Sequence, residues 1–121
     1  MRSIEDLVPE VTAATLDGRL RWRKTDGFLP DAYWTTIQNF SILTYTWTTP
    51  DGEHSGYTVS LVRGVPNYPI DELDTVADDE FGPKYSSVRT LYTAARRSAL
   101  NVDVVVGELE AYLESLPRVE N

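Results

Sequence analysis

A chain of 121 residues, 41% apolar and 25% charged, is of a size to form one domain around a single hydrophobic core. Its formal charge of −8 argues against a nucleic-acid partner, because affinity for a phosphate backbone rests on Lys and Arg releasing condensed counterions. It contains no Cys, which excludes disulfides and thiolate metal sites and fits a reducing, cytoplasmic compartment.

The opening MRSIEDLVPEV lacks the apolar core of a signal peptide. No later stretch reaches the roughly 20 apolar residues of a membrane span, so no membrane partner is expected. Ser3 and Asp6 ahead of Leu7, Val8 and Val11 mark a helix start, with Gly18 as its stop. Pro9 implies that this helix begins near Val8 or kinks there, since an interior proline removes a donor and crowds the preceding turn.

From Arg19 to Lys24 the residues alternate, with Leu20 and Trp22 on one face and Arg19, Arg21 and Arg23 on the other, the pattern of a half-buried strand. Ala32 to Gln38 and Phe40 to Thr48 are rich in aromatic and β-branched residues and are separated by a polar break near Asn39. Leu43, Tyr45 and Trp47 share one face. TTPDGEH then predicts a hairpin turn onto a fourth strand at Tyr57 to Val62. Residues 63–83 hold several prolines and glycines, and six of the ten residues from Asp71 to Glu80 are acidic, so a long connection is expected there.

Beyond Ser86, the apolar positions Val88, Leu91, Tyr92, Ala95, Ala99, Val102, Val106, Leu109, Leu113 and Leu116 recur at spacings of three and four. They predict one continuous helix ending before Pro117, with residues 101–103 as the place for a kink. The expected fold is therefore α+β: a short N-terminal helix, a four-stranded antiparallel meander and a long C-terminal helix packed on the sheet.

No catalytic residue emerges. His54, the only histidine, falls in the GEHSG turn with no partner pattern for nucleophilic catalysis, and reads as a solvated turn residue. The acidic run lacks the spacing of a calcium loop and reads as a solvated surface, so neither metal nor cofactor is expected. Two surfaces remain. Arg19, Arg21 and Arg23 on one face, with Trp34 and Tyr45, would suit an anionic metabolite or nucleotide. Edge-strand protection by charge is the simpler reading of the arginines. On the C-terminal helix, Leu100, Val104, Gly107 and Ala111 form a second apolar stripe opposite the first, flanked by Arg96 and Arg97, and a helix apolar on two sides must bury both, this one against the N-terminal helix of the same chain or against another subunit.

Thr15-x-x-Gly18-x-Leu20-x-Trp22 and Leu91-Tyr92-x-x-Ala95-Arg96-Arg97 resemble small, functionally uncharacterised bacterial and phage proteins in which a short helix and a strand meander precede a C-terminal helix. That resemblance implies a fold and supplies no catalytic residues. The expected function is a non-enzymatic protein-interaction domain of bacterial or phage origin, homodimeric through its C-terminal helix. The alternatives are a binder of a small anionic ligand at the arginines and an acidic decoy that occupies a basic host partner through Asp71 to Glu80.

Overall fold

The structure, a computed structural model, describes residues 2–25, 29–66 and 70–119. Helix α1 spans Ile4–Leu16, and strands β1 to β5 span Arg23–Lys24, Ala32–Ile37, Phe40–Thr48, Ser55–Arg63 and Glu72–Asp79. Helices α2 (Tyr85–Ala99) and α3 (Val102–Ser115) complete the chain. All five strands form one antiparallel sheet in sequential order, so the α+β meander is present with one strand more than expected.

The extra strand, β5, is made from the acidic run. It lies at the sheet edge and pairs with β4, placing Val76 opposite Val59 in the core, with Glu72 exposed and Asp74, Asp78 and Asp79 half-buried. Charged residues are tolerated on an edge because only one side of the strand must pair. A register shift between Leu61 and Val62 breaks the alternation that would have marked this segment as a strand.

Helix α1 begins at Ile4 and runs through Pro9 without stopping. Its start is fixed from two directions. The Asp6 carboxylate accepts the Ser3 N–H at 2.8 Å, and Asp74 of β5 accepts the Ile4 N–H at 2.9 Å. Ile4, Val8 and Val11 are buried on one face, so packing offsets the roughly 3 kcal/mol that an interior proline costs.

The strand expected from Arg19 contracts to Arg23–Lys24, paired with Trp34 and Tyr33. Gly18 adopts φ +75°, and the N–H groups of Arg19 and Leu20 both donate to Ala14 O, at 2.9 and 3.2 Å. These donors satisfy helix-end carbonyls and are lost to any sheet ladder. Trp22 follows as a lock, its indole N–H donating to Thr15 Oγ1 at 2.9 Å while its backbone N–H donates to Ser98 Oγ at 3.1 Å. The hairpin after β3 matches its expected turn, with Gly52 at φ +75° and the Thr49 N–H donating to His54 O at 2.8 Å.

Helices α1 and α2 cover one sheet face. Tyr33, Ile42, Val59 and Val76 meet Ile4, Val8, Val11, Val88, Leu91, Tyr92 and Ala95 there in the main core. Tyr92 also donates to Asp31 O at 3.0 Å, and burial raises its phenol pKa to about 12. The opposite face holds a smaller cluster of Ala32, Leu43 and Val62, with Trp34 and Tyr45 packed beside it.

The C-terminal helix is not continuous. Asn101 sits in the left-handed region at φ 52°, ψ 42°, a conformation that asparagine tolerates, and it divides α2 from α3. Helix α2 touches all five strands. Its 15 residues are about 22 Å long, while five strands at about 4.8 Å spacing measure about 19 Å across. The sheet ends where α2 ends, and α3 has no strand beneath it. The expectation that the whole apolar face from Val88 to Leu113 packs on the sheet therefore holds only for α2.

Candidate functional site

The acidic residues of the β5 region act locally. Asp74 caps α1, Asp78 accepts the Lys84 N–H at 2.7 Å just ahead of α2, and Glu80 accepts the Ser55 N–H at 2.9 Å. Glu72 accepts the hydroxyl of buried Ser60 at 2.9 Å, and Asp71 pairs with Arg63 at 3.1 Å. Among the described residues, no group of three or more His, Asp or Glu side chains converges to hold a metal ion.

His54 is half-buried, a correction to the solvated histidine expected from the turn. Its ring meets Phe81 edge-on at 5.6 Å, and its Nδ1, itself buried, lies 3.5 Å from the Glu80 carboxylate without a hydrogen bond. Backbone N–H groups hold the Glu80 carboxyl below the ordinary range, with nearby His54 a smaller contributor. This arrangement ties the hairpin to the turn after β5.

Arg19, Arg21 and Arg23 do not share a strand face, since only Arg23 lies in β1. They nevertheless line one groove of about 630 Å³ together with Trp34, Thr35 and Thr36. Arg23 lies over the Trp34 ring at 5.9 Å, and the Thr35 hydroxyl donates to Arg21 O at 2.8 Å, fixing the segment. Arg19 pairs with Asp17 at 3.2 Å, whereas neither Arg21 nor Arg23 forms an ion pair among the described residues. Tyr45 shares the sheet face of Trp34 but packs beside Ala32 and Leu43 and does not line the groove.

Helix α3 is the most unusual surface. None of its 14 residues is buried. Val104, Gly107 and Ala111, expected to form the interface stripe, are exposed on one side of it, and Leu100 stands at the break, 38% exposed. Arg96 and Arg97 are exposed at the end of α2, where Arg97 donates to Asp103 at 2.6 Å and braces the junction.

The opposite, larger stripe is also free. Val105, Leu109 and Leu113 are 55%, 55% and 57% exposed, and Val106, Tyr112 and Leu116 are exposed beside them. At 100° per residue these side chains, with Val102, fall within about 120° of arc, whereas Asp103, Glu110 and Glu114 point away. The periodicity of the sequence revealed this stripe, but assigned it to the core. Asn101 was the available signal, as a residue suited to a left-handed break.

A fourth feature has no counterpart in the sequence reading. An apolar groove of about 690 Å³ opens between α1 and the sheet, lined by Leu7, Val11, Ala14, Leu20, Ile37, Phe40, Ile42 and Leu61, among others. Its residues come from five separate stretches of chain, so no local pattern could assemble it.

Among the described residues, no helix is long and apolar enough to cross a membrane. Compared with protein-family models, with curated proteins and with solved structures, the chain matches none.

Proposed function

We propose that this protein is a non-enzymatic interaction module that associates, first of all with itself, through helix α3. One observation carries this reading: a whole helix presents an apolar stripe of which no residue is buried among the described residues, Val105, Val106, Leu109, Tyr112, Leu113 and Leu116 all being exposed. Water contact with such a stripe is unfavourable by roughly 25 cal/mol for each Å² of apolar surface, and contiguous exposed apolar surface marks association sites. A two-fold homodimer is the commonest way to cover it.

Light scattering across a micromolar concentration series tests the reading. The parent chain should approach twice its monomer mass of 13.6 kDa, and Leu109→Asp with Leu113→Asp should return it to the monomer while leaving the fold intact. A parent that stays monomeric at high micromolar concentration would sink the self-association.

A second reading has its own observation, the convergence of Arg19, Arg21 and Arg23 beside Trp34 in one groove. Such a groove suits an anionic ligand with a flat ring, the guanidinium groups taking the charge and the indole the ring face. A thermal-shift panel of nucleotides and organic phosphates should reveal stabilisation that Arg21→Ala with Arg23→Ala abolishes. No shift with any member would count against it, since saturation at 100 times the dissociation constant adds about 2.7 kcal/mol.

A further inference from the structure

We infer that α3 of one copy docks into the apolar groove between α1 and the sheet of a second copy, the two copies exchanging helices reciprocally. This rests on the reading of α3 as an association helix and names the surface that receives it.

The two surfaces match in chemistry. The groove is floored by Ile42 and Leu61 and walled by Leu7 and Val11, and at its β2–β3 end Ile37 and Phe40 remain 38% and 36% exposed. Among the described residues, Glu10 and Arg19 are the charged ones lining it, and Arg63 stands opposite Phe40 in the sheet register. Helix α3 brings a stripe of large apolar side chains flanked by Asp103, Glu108, Glu110 and Glu114, with no Lys or Arg between Val102 and Ser115. The acidic helix therefore meets a rim on which Arg19 and Arg63 are paired with Asp17 and Asp71 in surface ion pairs that an incoming carboxylate can share, while Glu10 disfavours the opposite orientation of docking.

The groove is long enough to take most of the stripe. Ile4 to Ala14, the stretch of α1 along the groove, rises about 15 Å, and the α3 stripe about 21 Å. The simpler pairing of α3 with α3 is too short to stand alone. The stripe repeats over two heptads, whereas coiled coils are sustained over three or four. Of the helices and strands of its own chain α3 contacts α2 alone, and none of its described residues lines the groove. Reciprocal docking buries two helices and two grooves with a single two-fold operation and leaves no open end.

The chain has no native cysteine, so cross-linking can be directed cleanly. Val106→Cys on the α3 stripe and Ala13→Cys at the groove wall are both exposed positions. Mixing the two single variants with a short bis-maleimide should give a covalent heterodimer. Linkage of Val106→Cys only to itself, in a chain that still dimerises, would overturn the groove and leave α3 as the association helix. An intrachain link in the double variant, with a monomeric mass, would overturn the second copy. A monomeric parent with no cross-link would overturn both the docking and the self-association. As a second readout, Ala13→Glu places a charge in the groove without touching a buried side chain. It should weaken dimerisation by roughly 30-fold or more, the scale of losing one well-buried contact. An unchanged dimer dissociation constant would overturn the groove.

Discussion

Helices α2 and α3 are adjacent, of nearly equal length, and continuous in their apolar periodicity, yet they have opposite fates. Helix α2 buries Val88, Leu91, Tyr92, Ala94 and Ala95, while α3 buries nothing. The difference teaches that a periodic stripe states a requirement for burial without stating what will meet it. For α2 the sheet meets it. For α3 the sheet has run out, and the stripe is left exposed.

The sharpest way to break this comparison is to cut the same kind of side chain from both helices. Leu91→Ala, at a site with no exposure, should cost about 2–5 kcal/mol of stability in denaturant melts. Leu109→Ala should change a dilute, monomeric sample by no more than about 0.5 kcal/mol. Comparable losses at the two sites would show that α3 is packed within its own chain.

A smaller effect is expected on the far side of the sheet. A Cβ added to Gly56 would stand 2.2 Å from Asp78 O and 2.5 Å from the Trp47 ring, its cross-strand neighbour. Backbone cannot yield to it cheaply, so Gly56→Ala should cost about 1–3 kcal/mol and move Trp47 fluorescence. Full stability in that variant would mean that β4 and β5 are less closely paired than described.

At the junction, Asn101→Gly should be accommodated at positive φ. Asn101→Val should cost about 1–2 kcal/mol in the left-handed conformation or straighten the two helices into one. Helical content by circular dichroism separates these outcomes. A Val variant that matches the parent in both stability and helicity would place the break elsewhere.

The smallest effect concerns pH at the start of α1. The Ser3 N–H and hydroxyl hold the Asp6 carboxyl below its usual value of 3.8. A depressed folded-state pKa contributes stability that is present above about pH 4 and lost as pH falls through the folded value. Asp6→Asn should therefore lower the melting temperature slightly at neutral pH and narrow its gap to the parent in acid. An equal gap at every pH would remove the carboxylate from that role.

The hydrophobic alternation of β2, β3 and β4, the turn at Gly52 and the core stripe of α2 were legible because each signal lies within one stretch of chain. Edge strand β5 was hidden, since its acids read as a loop while the partner strand that makes them an edge lies elsewhere in sequence. The arginines were recognised, but their route to a common groove was not: backbone donors of Arg19 and Leu20 serve the end of α1 instead of a ladder.

What the sequence by itself determined is the class of fold and the existence of more apolar helix face than a small chain needs. Tertiary structure alone decided where that excess falls. The width of a five-stranded sheet limits how much helix it can cover, and neither that width nor the groove beside α1 is a property of any local segment.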